Sequence, residues 1–146
     1  MLITCYTAIG DAASARRAAQ LGVARAEAAV AQDRSNGKAL GMGATALAAL
    51  GDIERAKEWT ERALLLDPHN MVMRYNFACG FARDSADVGA ALAMLDPVVE
   101  KATRAFLEHV KIDPDLDPIR TDPRFLAMIA AAETRLAAAK PAGATG

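Results

Sequence analysis

The segment "LGDIERAKEWTERALLLDP", residues 50–68, has the layout of one helix between two chain breaks. Gly51 can adopt the positive φ that ends a preceding helix, and Asp52 is a favourable N-cap for the next one. The helix should end at Asp67, because a residue before proline avoids the helical region. The apolar residues between these ends lie along one face at helical spacing: Ile53, Ala56, Ala63 and Leu64. The segment therefore predicts a helix over 53–66 that is the second helix of a hairpin.

The first helix of that hairpin is predicted over residues 37–50, immediately before the Gly-Asp turn. Its large apolar side chains are Leu40, Leu47 and Leu50. Gly43, Ala44 and Ala48 keep one side of this helix thin, which allows a neighbouring helix to approach closely. The hairpin has no residue placed for chemistry, so its surface is the feature to explain.

The chain matches itself at an offset of 34 residues. Asn36 aligns with Asn70, and Ala44 aligns with Ala78. A period of this length, with small residues at fixed places, is typical of stacked helix pairs. The predicted units of the single domain, 1–140, are 1–36, 37–70 and 71–104, then a closing segment over 105–140 and a flexible tail over 141–146.

Two units depart from the regular pattern. The first is predicted to have a short apolar helix at 2–9 and a long second helix at 12–33, in which Gly22 costs about 1 kcal/mol relative to alanine. In the third unit Ser85 replaces the turn glycine. Pro97 is expected to kink or split the helix that contains it, because proline cannot donate a helical hydrogen bond.

The repeat resembles the tetratricopeptide repeat (TPR), which has small residues at its eighth and twentieth places, Gly at the fifteenth, Ala at the twenty-seventh and Pro at the thirty-second. These places are filled by Ala44, Ala56, Gly51, Ala63 and Pro68. The resemblance implies an all-α fold, a right-handed α-solenoid of about three antiparallel helix pairs plus a C-terminal closing helix. It also implies a non-catalytic protein-protein interaction module.

A second resemblance covers "RAFLEHVKIDPDLDPIRTDPRFLAMI", residues 104–129. This stretch is similar to the segment that closes TPR arrays behind the catalytic domain of bacterial class III adenylate and guanylate cyclases. The likeness implies a signalling protein whose cyclase domain would lie upstream. Read from its residues alone, the stretch contains three Asp-Pro steps, and Asp122 and Pro123 begin a last helix, about 123–140. Its inward residues should be Phe125, Met128, Ile129 and Leu136.

Composition excludes several classes of function. With 146 residues, a net charge of −1 and both signs interspersed, the chain has no basic footprint for nucleic acid. The longest uncharged run, residues 39–51, is too short to cross a membrane, and the first residues carry no signal-peptide pattern. Cys5 and Cys79 have no metal or disulfide spacing and are expected to be buried or half-buried. A soluble cytoplasmic protein is the expectation.

The candidate metal and catalytic residues are weak. Asp113, Asp115 and Asp117 alternate as in a calcium loop, but the places that need Gly and Glu hold Pro118 and Arg124. These carboxylates are better explained as helix caps and turn residues.

His69 and His109 have no carboxylate or cysteine at ligand spacing, so both are expected at the surface. No nucleophile or phosphate-loop motif occurs. The chain itself is therefore predicted to be no enzyme and to bind no metal or cofactor.

The remaining candidate site is the concave face formed by the first helices. Its proposed members are Lys38, Thr45, Tyr75, Asn76, Cys79 and Arg83. They either bind a protein, a peptide or an upstream catalytic domain, or Tyr75 simply covers a neighbouring helix. Trp59 is either a lid on the convex side or a packing contact. A second hypothesis is that the apolar start, "MLITCY", mediates homodimerisation because it lacks a preceding repeat.

Overall fold

The computed structural model describes residues 2–139, and over this range the chain is helical with no strand. Met1 and residues 140–146, which include the predicted tail, lie outside the described residues. The α-helices are α1 (Leu2–Ala8), α2 (Ala12–Gln32), α3 (Gly37–Ala49), α4 (Ile53–Leu66), α5 (Met71–Gly80), α6 (Val88–Glu100), α7 (Arg104–Ile112) and α8 (Pro123–Ala138). A π-helical turn, Phe81–Ser85, continues α5, and a 3-10 helix, Pro114–Ile119, precedes α8. The all-α class is confirmed for the described residues.

The helices begin at the caps that the sequence indicates. Asn36 and Asn70, 34 residues apart, each accept a hydrogen bond from the backbone N–H three residues later, at 2.9 Å in both cases. Asp122 accepts one from the N–H of Arg124 at 2.8 Å and starts α8. The turn glycines Gly10 and Gly51 have φ values of 74° and 81°, a region in which only glycine is free of strain.

Three helical hairpins, α1–α2, α3–α4 and α5–α6, follow one another along the chain, and each pairs its own two helices closely. Between hairpins, α3 packs against α2 and also contacts α5, while α8 packs on α6. One continuous core extends from α2 to α8. Its largest fully buried side chains are Leu40, Leu47, Leu95, Val99, Leu107, Val110, Leu116 and Ile119. Of the predicted inward residues of α8, Phe125 and Ile129 are buried, and Met128 and Leu136 are half-buried.

Trp59 is a packing residue. A methyl group built on Gly43 of α3 would overlap the six-membered ring of Trp59, and it would lie 3.0 Å from the Cβ of Ala26. Only glycine at position 43 lets the indole of α4 and the alanine of α2 meet on α3. Trp59 is 7% exposed, so the lid interpretation is wrong and the packing interpretation is confirmed.

Two expectations for single residues need correction. Pro97 does not split its helix, because α6 is continuous from Val88 to Glu100. The carbonyl of Ala93 loses its helical donor at Pro97, but Ala93 is exposed, so water can supply the hydrogen bond. Cys5 is exposed rather than buried, since it lies on the outer side of the short helix α1, whereas Cys79 is buried.

The turn of the third hairpin also differs from expectation. Ser85 does not take the place of the turn glycine. The left-handed residue is Ala86, with a φ of 51°, and Asp87 is the N-cap of α6. The π-helical turn Phe81–Ser85 adds one residue before this point, so the spacing from Gly51 to its counterpart is one residue longer than the repeat.

Candidate functional site

The candidate site is the outer face shared by α3 and α5. The two helices meet where Gly41 faces α5: a methyl group built there would lie 3.0 Å from the Sδ of Met73 and 3.7 Å from the ring of Phe77. Thr45 and Asn76 line one narrow cleft beside this contact. The crossing therefore places the solvent-facing residues of both helices side by side.

An open strip runs along this face. Residues three or four apart share one face of a helix, which joins Lys38, Met42 and Thr45 on α3, and Val72 and Asn76 on α5. Met42 is 59% exposed and Val72 is 72% exposed. These five residues are called the open strip below.

The open strip has few internal polar contacts. Lys38 is exposed and makes no ion pair with any residue in 2–139. The hydroxyl of Thr45 donates to the carbonyl of Gly41 at 3.1 Å, which leaves its methyl group toward neighbouring side chains. Asn76 is exposed. The strip thus offers one cation, two apolar side chains and one amide to a partner.

The other side of α5 is occupied by the chain itself. Residues 113–119, called the covering segment below, include the 3-10 helix and lie against α5 and its π-helical turn. The hydroxyl of Tyr75 donates to Oδ2 of Asp113 at 2.6 Å. The Nη1 of Arg83 donates to Oδ2 of Asp115 at 2.7 Å. Both carboxylates are therefore engaged by side chains of the predicted groove.

Apolar burial accompanies these polar contacts. Leu116 and Ile119 of the covering segment are both 0% exposed. Burying a side chain of this size contributes about 1.5–3 kcal/mol relative to leaving it in water. The covering segment is thus held by its apolar side chains as well as its carboxylates.

Arg83 is the most constrained cation of the site. Its guanidinium also binds both oxygens of Asp84, at 2.7 Å each, in a bidentate pair. The hydrogen bonds to Asp84 raise the pKa of Arg83 above its usual value, and the pairing with Asp115 adds to this effect. The guanidinium is therefore committed and not available to a ligand.

An aromatic cluster flanks the covering segment. The ring of Tyr75 meets that of Phe106 in α7 edge-on at a centroid distance of 5.1 Å, and the ring of His109 lies 5.9 Å from each. Burial raises the pKa of the Tyr75 phenol, and its hydrogen bond to Asp113 raises it further. Burial also raises the pKa of the Cys79 thiol to about 12, since a thiolate would be poorly solvated there.

The structure divides the six predicted groove residues into two sets. Lys38, Thr45 and Asn76 lie on the open strip, and Tyr75, Cys79 and Arg83 lie beneath the covering segment. Tyr75 does cover a neighbouring element, as one of the two alternatives held, because it packs on Phe106 of α7.

Sequence reasoning missed two features of this region. Met42 was omitted from the groove, although it lies one turn after Lys38 and a count of the helical face would have included it. The partners of Asp113 and Asp115 were also missed, and no local signal could have found them. The pairs with Tyr75 and Arg83 span 38 and 32 residues of sequence.

The aspartates of residues 113–117 behave as capping and turn residues. Oδ1 of Asp113 accepts from the N–H of Asp115 at 2.9 Å and caps the 3-10 helix, and Asp117 pairs with Arg120 at 2.6 Å. His69 and His109 are exposed, as expected. Within residues 2–139 no group of three or more His, Cys, Asp or Glu side chains is arranged to hold a metal ion. The chemistry that this face supports is binding.

Comparison of the chain with protein-family models, with curated proteins and with solved structures finds no match. None of the helices between residues 2 and 139 combines the length and the apolar character needed to cross a membrane.

Proposed function

We propose that this chain is a non-catalytic protein-interaction module whose open strip binds an extended peptide of a partner protein. The observation that carries the proposal is the face of α5, half covered and half open. One side of the helix already holds an extended segment of chain, while the adjoining strip exposes Met42 and Val72 beside the unpaired Lys38.

The proposal includes the TPR-like solenoid of helix pairs. Two features support it: the hairpins α3–α4 and α5–α6 begin at equivalent asparagine caps 34 residues apart, and their first helices contact each other. In a stack of this kind successive first helices line one continuous surface. A peptide lying along that surface would contact α3 and α5 together.

The covering segment indicates which peptide chemistry the face accepts. Its carboxylates meet the polar side chains of α5, and its leucine and isoleucine fill apolar sites. On the open strip Lys38 would receive a carboxylate, while Met42 and Val72 would receive apolar side chains. Methionine suits such a surface because its flexible side chain adapts to varied partners.

We place the module in a cytoplasmic signalling protein with a class III cyclase domain. The support is the similarity of residues 104–129 to the segment that closes repeat arrays in such cyclases. The partner segment would then belong either to the catalytic domain or to a regulator that binds beside it.

Affinity capture tests this function. The wild-type chain is immobilised beside a strip variant, Lys38→Glu/Met42→Asp, and a control variant, Ile112→Asp, which alters a side chain that is 74% exposed at the end of α7. We expect the strip variant to lose peptides or proteins that the wild type and the control retain. Equal capture by all three, with unchanged circular dichroism, would contradict the proposal.

A second candidate function is homodimerisation through α1. This helix packs extensively against α2 alone, and the residue that follows it, Ile9, is 75% exposed. An apolar end of this kind can be buried against a second copy. Sedimentation of the wild type and of Ile9→Asp tests it: a dimer is expected for the wild type and a monomer for the variant, and identical sedimentation of the two would contradict it.

A further inference from the structure

A cleft between α6 and α8 lies away from the open strip. It has a volume of about 180 Å³ and is lined by Asp96, Val99, Glu100, Met128, Ala131, Ala132 and Arg135. Its floor is apolar, since Val99 and Ala132 are buried and Met128 is half-buried. A cleft of this size can accept one medium-sized apolar side chain.

The rim of the cleft is acidic. Asp96 and Glu100 are one turn apart on α6, both are exposed, and neither forms an ion pair within residues 2–139. Arg135 is the cation among the lining residues, and its Nη2 donates to the carbonyls of Ala102 at 2.7 Å and Val99 at 3.4 Å. Because that guanidinium is occupied by carbonyl oxygens, the two carboxylates remain available to a cationic partner.

The outer face of α2 has the complementary character. Its inner face packs into the core through Ala19, Val23, Ala26 and Val30. The opposite face is exposed and apolar at its centre, with arginines beside it: Arg17, Leu21, Ala24, Arg25 and Ala28. Leu21 is 52% exposed.

The arginines of this face are not neutralised. Neither Arg17 nor Arg25 forms an ion pair with another described residue, and Arg17 donates only to the hydroxyl of Ser14, at 2.8 Å. Helix α2 therefore presents an apolar stripe flanked by free positive charge. Such a helix has no partner within the chain on its outer side.

We propose that the α2 face of one copy binds the α6–α8 cleft of a second copy, with Leu21 in the cleft and Arg17 and Arg25 against Asp96 and Glu100. A second copy is the occupant because each chain carries both halves of a complementary pair, one apolar and basic, the other apolar and acidic. The two surfaces are different, so the contact is heterologous and leaves a free surface of each kind at the ends of the assembly. Copies then join head to tail.

Charge-reversal variants test this contact by sedimentation. Arg17→Glu/Arg25→Glu removes the basic face, and Asp96→Lys/Glu100→Lys removes the acidic rim. The control, Glu54→Lys/Glu61→Lys, makes the same change in net charge on exposed side chains of α4 that form no ion pair with another described residue. We expect the wild type and the control to self-associate, and each of the two interface variants to lose tenfold or more in affinity for itself.

Mixing the two interface variants gives the decisive result. Each retains one intact surface, so an equimolar mixture should form a 1:1 dimer that grows no further. A wild type that is monomeric at high micromolar concentration overturns the proposal, as does self-association that survives in the variants or a mixture that stays monomeric. Circular dichroism of every variant checks folding, and Leu21→Ser, which keeps all charges, provides a second variant that should also weaken association.

Discussion

The hairpins α3–α4 and α5–α6 share a beginning and differ in what lies on their outer faces. Each starts at an asparagine cap with the same 2.9 Å hydrogen bond. One repeat before Tyr75, Cys79 and Arg83, the first hairpin has Gly41, Thr45 and Ala49 at the corresponding places. The larger side chains of α5 hold residues 113–119 of the same chain, whereas the smaller ones of α3 leave their face open.

The difference teaches that the repeated residues and the non-repeated residues have separate tasks. Small residues at repeated places, such as Ala44 and Ala78, are buried between helices and fix the hairpin geometry. Residues at the variable places decide whether the outer face is occupied. One backbone pattern can therefore carry both a binding surface and a surface closed by its own chain.

The largest expected effect comes from removing an apolar anchor of the covering segment. Leu116→Ala should lower the free energy of unfolding by about 2–5 kcal/mol, because a fully buried leucine leaves both a cavity and lost burial. Urea denaturation measures the change. The matched control is Leu126→Ala in α8, where the leucine is 55% exposed and the loss should be under about 1 kcal/mol. Equal losses would show that the covering segment is not part of the core of the second hairpin.

A smaller loss is expected when the ionic contact of the segment is broken. Arg83→Ala removes the partner of Asp84 and Asp115, whose side chains are 14% and 26% exposed. Leaving partly buried carboxylates unpaired should cost about 1–3 kcal/mol in chemical denaturation. Lys38→Ala, the corresponding removal of a cation from the open strip, should change stability by less than about 0.5 kcal/mol. Similar values for the two variants would remove the distinction between an occupied and an open face.

Alkaline pH should weaken the second hairpin. The pKa of Cys79 is raised from 9.0 to about 12, so the folded state holds a proton that the unfolded chain releases above pH 9. Stability is therefore fully present below pH 9 and is lost as the pH rises toward 12, with a slope that approaches about 1.4 kcal/mol per pH unit. The raised pKa of Tyr75 acts in the same direction.

Denaturation at several pH values between 8 and 11 measures this slope. In Cys79→Ala the slope should become shallower, because one of the two groups no longer titrates. Cys5, which is exposed, serves as the control position: Cys5→Ala should leave the slope unchanged. A slope that is the same in all three proteins would contradict the assignment to Cys79.

The repeated part of the fold could be predicted from sequence because its signals are local. Caps, turn glycines and apolar spacing placed the ends of α1 to α4 within one residue of those observed. The turn of the third hairpin was misplaced because a π-helical turn leaves no composition signal and inserts one residue. The occupied half of the candidate site was also beyond reach, since Tyr75 and Asp113 are brought together by the packing of α7 and the 3-10 helix rather than by any periodic pattern.

The two hairpin turns provide the finest comparison and the smallest effect. Gly51 and Ala86 both have positive φ, 81° and 51°, but only the second carries a side chain there. A methyl group built on Gly51 meets no atom within 4 Å, so Gly51→Ala tests backbone strain alone and should lose about 1 kcal/mol.

Ala86→Gly should change stability in the opposite direction. It relieves the left-handed strain of an exposed alanine, and the greater freedom of glycine in the unfolded chain offsets part of that gain, so an increase of up to about 1 kcal/mol is expected. Thermal unfolding of the two variants beside the wild type measures both signs. If Ala86→Gly is destabilising, the π-helical turn itself holds position 86 in the left-handed region without strain, and the irregular turn would then be as well adapted as the glycine turn it replaces.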